Sequence, residues 1–359
     1  MNKPIFSPKE IDELPTILDV VEEISKKENK HVLANITSIP LPQHYDEGRY
    51  NYVAEKHDRN VLHLMPTSQS PFTFYRGQSR FHDPCFPSLY RGKPSEEDIA
   101  CNRLKICEFA QLLNTHPVFR ELGHGLMVEP IALAQHYGLK TEFLDITNSK
   151  WVAAFFACTK YNYDSDTYTP VGRDYEEGYG VMYITKGWVL KELPEEFFEK
   201  YDVIGYQYFE RPTKQSSFGI KMQKDEDFNK SPYFDKIFFR HDLEASTMVF
   251  DMSYRQNRFI PHDPLSKLAR KIIKSKEITR QAHFQCWSNF YSDKEPGFLD
   301  KACESKDWKF KEDNKPIAEF APETLAADWN AWNSFGRNDL NSRILPIRMI
   351  ATVKPTDSR

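Results

Sequence analysis

Residues 132–157 read ALAQHYGLKTEFLDITNSKWVAAFFA, and the order of residue types in this stretch decides the fold class. The segment through Tyr137 suits a buried helix, closed by Gly138 as its C-terminal cap because glycine takes the left-handed conformation without a steric penalty. TEFLDIT (141–147) then reads as a short extended segment rich in Phe, Leu, Ile and Thr. Thr147, Asn148 or Ser149 can cap a second helix running to Lys160, and that helix is apolar on nearly every side, which places it inside the protein. A helix, a strand and a buried helix in immediate succession predict an α+β domain.

Working outward, PFTFYRG (71–77) predicts a short buried strand ending at Gly77, and residues 97–113 predict an amphipathic helix with Leu104, Cys107 and Leu112 on its apolar side. The polar stretch 162–178 reads as an exposed loop. YGVMYITK (179–186) and KIFFR (236–240) read as strands, and residues 203–222 as strand-like but interrupted at Pro212. Ala245, Met248, Val249 and Met252 recur at helical spacing. A last clear helix starts with Asp263 as cap and Pro264 as its first residue, with Leu265, Leu268, Ala269, Ile272 and Ile273 on one face. Near the start, Ile17, Leu18, Val21 and Ile24 predict a helix opened by Pro15. The tail carries Trp287, Trp308, Trp329 and Trp332 among charges and reads as folded. The division expected is an N-terminal helical extension (1–55), a central domain (56–275) and a C-terminal extension (276–359). There is no internal repeat.

Composition narrows the function classes. The 359 residues are 40% hydrophobic and 14% aromatic, ample for a core. A net charge of -4 argues against general affinity for nucleic acid. No stretch approaches the ~20 apolar residues of a membrane span, and the start of the chain lacks a secretory signal. The six cysteines include no CxxC pair, so reduced core thiols in a cytoplasmic protein are expected. His-Asp pairs at 82–83, 241–242 and 262–263 suggest metal phosphohydrolases, but those need an all-helical scaffold, so no metal is expected. There is no GxSxG, GxxxxGK[ST] or GxGxxG.

Three motifs, in order, resemble the FRG domain family of bacteria and phages. In FYRGQSRFHDPCFPSLYRG (74–92), the residues Phe74, Tyr75, Arg76, Gly77, Gln78, Pro87, Ser88, Leu89 and Arg91 match. In the stretch quoted first, Gln135, His136, Tyr137, Gly138, Thr141, Leu144, Asp145, Thr147 and Ser149 match. In RPTKQSSFGI (211–220), Arg211, Gln215 and Phe218 match. Lys140, Glu142 and Ile146 depart from the usual Pro, Arg and Trp, and Glu142 reverses a charge beside the expected pocket. The family pattern is itself similar, remotely, to the ADP-ribosyltransferase fold. The resemblance therefore implies an ADP-ribosyltransferase-like core of short strands packed with helices, with NAD as substrate, and an activity that fits a toxin or antiviral defence role. The partners implied are a nucleotide ligand and a protein acceptor or regulator.

The residues suit that chemistry. A pyrophosphate calls for a fixed guanidinium, and Arg76 at a strand end supplies one, flanked by Gly77 and Gln78. Thr147 and Ser149 would bring hydroxyls and helix N–H groups to ribose and phosphate oxygens. His136 and Tyr137 could offer a ring for nicotinamide to stack on. Glycosidic cleavage passes through an oxocarbenium-like state that a carboxylate stabilises. The third motif offers only the amide Gln215; Glu210, Glu244 and Asp145 are the possible acidic substitutes, none forced by spacing, and strand alternation is expected to turn Glu210 away and leave Asp145 in the site with Gln215. Plainer readings stand beside these: Arg76 paired with a buried Asp145, His136 as a core histidine, Thr147 and Ser149 as caps, and Gln215 bridging backbone. With them goes a second functional class, a non-catalytic module that senses a nucleotide or a protein.

Overall fold

The computed structural model describes residues 6–38, 52–56, 62–66, 73–185, 200–205, 207–311, 315–338 and 348–350. The chain enters through α1 (Pro8–Glu13) and α2 (Ile17–Ser38). Thr16, one residue past the expected Pro15, opens α2: its Oγ1 accepts from the Asp19 amide while the Asp19 carboxylate accepts from the Thr16 amide. Strands β1 (Tyr52–Lys56) and β2 (Leu62–Pro66) follow as an antiparallel pair.

The centre is a six-stranded sheet. Its strands are β3 (Tyr75–Gln78), β4 (Phe143–Thr147), β7 (Tyr179–Thr185), β8 (Tyr201–Val203), β9 (Ser217–Lys221) and β10 (Phe234–Arg240), in the order β10-β7-β3-β4-β9-β8. Every neighbouring pair is antiparallel. All seven residues of β7 are buried, as expected of a strand covered on both faces. Phe74, Leu144, Ile146, Val181, Tyr183 and Phe218 fill one face. Tyr75, Met182 and Ile184 fill the other, beneath α2 and α6 (Lys150–Ala157). Between β5 (Thr159–Asn162) and β6 (Thr167–Pro170) lies a separate hairpin, so part of the stretch read as an exposed loop is ordered antiparallel structure.

One contact sets the spacing of the layers. Helix α6 crosses β3 so closely that a Cβ on Gly77 would lie 1.8 Å from the Ala153 carbonyl oxygen. Only glycine admits that approach. The buried face of α6 (Val152, Ala153, Ala154, Phe155 and Ala157) is the sequence expectation met. On its outer side Ile17, Val20, Val21 and Ile24 of α2 complete the same cluster.

Helix α3 (Glu96–Thr115) is buried on opposite sides and is not simply amphipathic. Ile106, Phe109, Leu112 and Leu113 face α5 (Pro130–Gln135) and α9 (Pro264–Lys274), whereas Ala100, Cys101, Leu104 and Cys107 face α10 (Arg280–Cys286) and α11 (Phe298–Ser305). The C-terminal extension thus shares a helix with the central domain, and β11 (Arg348–Ile350) pairs with β1. Helix α4 (Pro117–Gly123) meets α12 (Pro322–Ala331) and the turn that follows it through Trp329 and Trp332.

Two local expectations are corrected. Residues 203–222 are not one interrupted strand: α7 (Glu210–Lys214) separates β8 from β9, and Pro212 sits in its first turn, where no intrahelical N–H is lost. In α8 (Leu243–Met252) the buried arc is Ala245, Ser246 and Val249, and Met248 and Met252 are exposed, because the inward direction is centred toward Ser246. All six cysteines are buried and free. Among the described residues no helix is long and apolar enough to cross a membrane.

Gly77→Ala is expected to destabilise the protein by about 1–3 kcal/mol or more, because the clash is with main chain and not with a movable side chain. Urea denaturation measures this; a variant within ~0.5 kcal/mol of wild type would mean that β3 and α6 separate easily.

Candidate functional site

Strands β3 and β4 are neighbours in the sheet, yet only Tyr75 and Thr147 are paired between them. Beyond that pair the strands diverge and the sheet opens. The gap is bridged by Arg76, whose Nη1 donates to the Asp145 main-chain oxygen at 2.5 Å. A cleft of about 500 Å3 opens at the split, lined by Arg76, Gly77 and Gln78 on one lip and Asp145, Ile146 and Thr147 on the other.

The expected constellation is therefore brought together in part. Arg76, Asp145, Thr147 and Gln215 line the cleft. Glu210 is exposed on α7, away from it, although the strand-parity argument that pointed the same way does not apply to a helical turn. Arg76 forms no ion pair with Asp145: it engages the peptide oxygen, and its buried Nε has no partner. Ser149 does not line the cleft; it caps α6 by accepting from the Val152 amide. Thr147 Oγ1 donates to the Gln215 main-chain oxygen at 2.7 Å and accepts from the Ser149 amide, tying β4 to the turn before β9.

Two expectations fail. Tyr137 lies outside the cleft, its ring against Phe109 and Phe209 and its hydroxyl donating to Asp263. Helix α5 ends at Gln135, and Tyr137 joins the buried cluster of Phe109, Leu133 and Phe209 on the helical side. His136 offers no stacking face either, since its side chain is 1% exposed behind Asp145. Glu142 is buried and does not line the cleft; it lies in the field of Arg103. The charge reversal noted in the sequence therefore does not bear on the cleft.

Other residues complete the site. Arg80, His82 and Arg91 stand on the β3 side, and Lys160, Tyr161 and Tyr168 of the β5–β6 hairpin form a wall. Arg80 pairs with Glu176 at 3.3 Å, both exposed at the rim. Arg91 donates from Nε to the Phe86 oxygen at 2.9 Å. Among the described residues no carboxylate ion-pairs with Arg76 or Arg91, so this lip carries a concentration of positive charge, offset only in part by the Asp145 carboxylate that acts on Arg91. His82 registers it: burial first, then Arg91, Arg80 and Arg76, push its imidazole down to about 4. The sequence contained a signal for Arg91 in its second Arg-Gly pair, but none that the polar stretch would fold back as a tyrosine wall.

That wall is pinned from outside the cleft. Asp166, at the hairpin tip with φ +56°, accepts from both terminal nitrogens of Arg211 and also from Ser266 and Tyr161. Burial opposes its ionisation, yet Arg211, Ser266 and Tyr161 together hold its carboxyl below the ordinary range. Arg211, the arginine of the third motif, is thus a structural anchor. Among the described residues no group of three or more His, Cys, Asp or Glu is placed to hold a metal ion.

Residues 72–166 match the family model of the FRG domain, so the chain carries an FRG domain that includes both lips of the cleft and the hairpin tip. No curated protein matches the chain, and no solved structure does.

Arg211→Ala is expected to cost about 3–5 kcal/mol, since it strands the buried Asp166, whereas Arg80→Ala, which breaks an exposed pair, changes stability by less than ~1 kcal/mol. Denaturation of the two variants checks the contrast. Arg91→Ala is expected to raise the His82 titration midpoint above about 4 but to leave it below the ordinary histidine value, because burial, the larger cause, remains. The depressed value favours neutral His82 in the fold, so its contribution to stability is present above the unfolded midpoint near 6.5 and is lost as pH falls toward 4. Imidazole NMR against pH reads the midpoint.

Proposed function

We propose that this protein binds NAD or a related nucleotide in the split between β3 and β4 and breaks its nicotinamide glycosidic bond, as an ADP-ribosyltransferase or NAD hydrolase. The observation that carries the reading is the pair of guanidiniums, Arg76 and Arg91, on one lip with no carboxylate in an ion pair with either among the described residues. Two like charges on one lip repel and favour an anion that joins them, and a pyrophosphate suits two planar guanidiniums. Tyr161 and Tyr168 on the facing wall supply ring surface for a base or nicotinamide. Asp145 reaches the same cleft with a carboxylate, the group that an oxocarbenium-like state requires. An ADP-ribosyltransferase-like core agrees with the Arg-bearing strand opposite a strand that ends in Thr147.

A specific observation favours a second reading, that of a nucleotide sensor without turnover. Gln215, which the third motif puts in the cleft, is held at both ends of its amide, by His136 and by the Phe259 carbonyl. It serves the scaffold and does not replace a catalytic carboxylate. A toxin or antiviral defence role is proposed on the family resemblance, and a cytoplasmic location on the six free thiols.

Calorimetric titration with NAD, ADP-ribose and AMP tests binding, and chromatography of released nicotinamide tests turnover. Wild type is expected to bind NAD and ADP-ribose more tightly than AMP. Arg91→Ala is expected to weaken NAD about 10-fold or more with little change in melting temperature, since a charge-assisted contact is worth about 1.5–3 kcal/mol. No affinity for any of the three at millimolar concentration would end the nucleotide reading. Binding without release of nicotinamide would select the sensor.

A further inference from the structure

Behind Asp145 lies a hydrogen-bond chain whose polarity the backbone dictates. The Phe259 carbonyl can only accept, so the Gln215 amide presents Nε2 to it, at 3.1 Å, and turns Oε1 toward His136. Oε1 can only accept as well, so His136 Nδ1, at 2.9 Å, carries a hydrogen. In the neutral ring the lone pair then belongs to Nε2, which faces Asp145 Oδ1 at 3.8 Å. Both of these atoms are buried and neither has a hydrogen-bond partner. The Asp145 side chain as a whole is 37% exposed and lines the cleft, whereas that of His136 is 1% exposed. Two buried acceptors facing each other are costly until a proton lies between them.

We infer that Asp145, His136 and Gln215 form a proton relay that accepts the proton of a hydroxyl nucleophile, so that the acceptor of ADP-ribose is water or an alcohol. The inference rests on the reading above that the nicotinamide bond of NAD is broken in this cleft. The attacking oxygen bonds to C1′ of the nicotinamide ribose as the C1′–N1 bond breaks. Its electron pair returns to the pyridinium ring, and nicotinamide leaves neutral. The hydroxyl proton passes to Asp145, is shared with His136 Nε2 as the two groups close the 3.8 Å that separates them, and is later released to solvent. A carboxylate acceptor brings no such proton and has no use for the relay, whereas a hydroxyl needs it. Asp145 is the catalytic residue here; His136 and Gln215 position it and fix where the proton goes.

The experiment uses the full chain, with NAD binding by calorimetry, nicotinamide release by chromatography, and products by mass spectrometry in water and in dilute methanol. Asp145→Asn and His136→Ala are expected to lower kcat by about 10²–10⁴-fold while NAD affinity stays within a few-fold. Gln215→Leu, which leaves His136 in place but frees its tautomer, is expected to lower kcat with KM unchanged. Methanol is expected to yield methyl ADP-ribose beside ADP-ribose. Nitrogen NMR of the unliganded protein is expected to show His136 protonated on Nδ1, a readout that needs no turnover and stands even if His136→Ala fails to fold. Wild-type rates in Asp145→Asn and His136→Ala, or a hydrogen on Nε2 with Nδ1 bare, would overturn the relay alone and leave the nucleotide reading intact. NAD bound but never cleaved would remove the relay and leave the sensor. NAD never bound would remove both.

Discussion

A single guanidinium spans the place where the central sheet comes apart. Strands β3 and β4 share one residue pair and then separate, and Arg76 replaces the lost ladder with one charge-assisted bond to the Asp145 peptide oxygen. The arrangement joins two requirements that usually conflict. The strands must stay in one sheet, since Phe74, Leu144 and Ile146 share a cluster beneath it. They must also part enough to expose the Asp145 side chain to a ligand-sized space. A backbone hydrogen bond would close the gap, whereas a long side chain bonded to a carbonyl holds it at a set width.

The walls of that space are held by groups remote from it. Gly77 lets α6 lie against β3 and so fixes the floor. On the outer side, Glu28 of α2 accepts from the Tyr75 hydroxyl and pairs with Lys150, which joins the N-terminal extension to the strand that bears Arg76. The tyrosine wall depends on the buried Arg211–Asp166 pair, which connects the hairpin to α7. Buried ion pairs are costly to desolvate and seldom add net stability. What this one adds is register: Asp166 gathers Arg211, Ser266 and Tyr161 at one point, and a hairpin held there has a defined distance from β3.

Charge follows the same division. The chain is weakly acidic overall, yet one lip of its cleft gathers arginines whose field adds to the effect of burial in depressing His82. The carboxylates are spent on structure: Glu176 on Arg80, Asp166 on Arg211, Glu28 on Lys150. Asp145 alone among the cleft-lining acids keeps a buried oxygen without a partner.

The sequence by itself determined the α+β class, the buried helix after a cap at Thr147, Asn148 or Ser149, the left-handed stop at Gly138 and the start of α9 at Asp263. Caps, breakers and periodicity act over three or four residues, so a short window contains their whole cause. It also brought Arg76, Asp145, Thr147 and Gln215 forward as a set, because the motifs kept their order. Only the tertiary structure decided that Tyr137 turns into the helical core, that residues 159–170 fold back as a wall, and that His136 and Gln215, 79 positions apart, share a hydrogen bond. It also decided that β3 and β4 part after one pair. Those outcomes depend on which surfaces meet once α6 settles on Gly77 and Arg211 captures Asp166. Contacts between residues far apart in the chain leave no local pattern, because each partner satisfies its own neighbourhood equally well without the other.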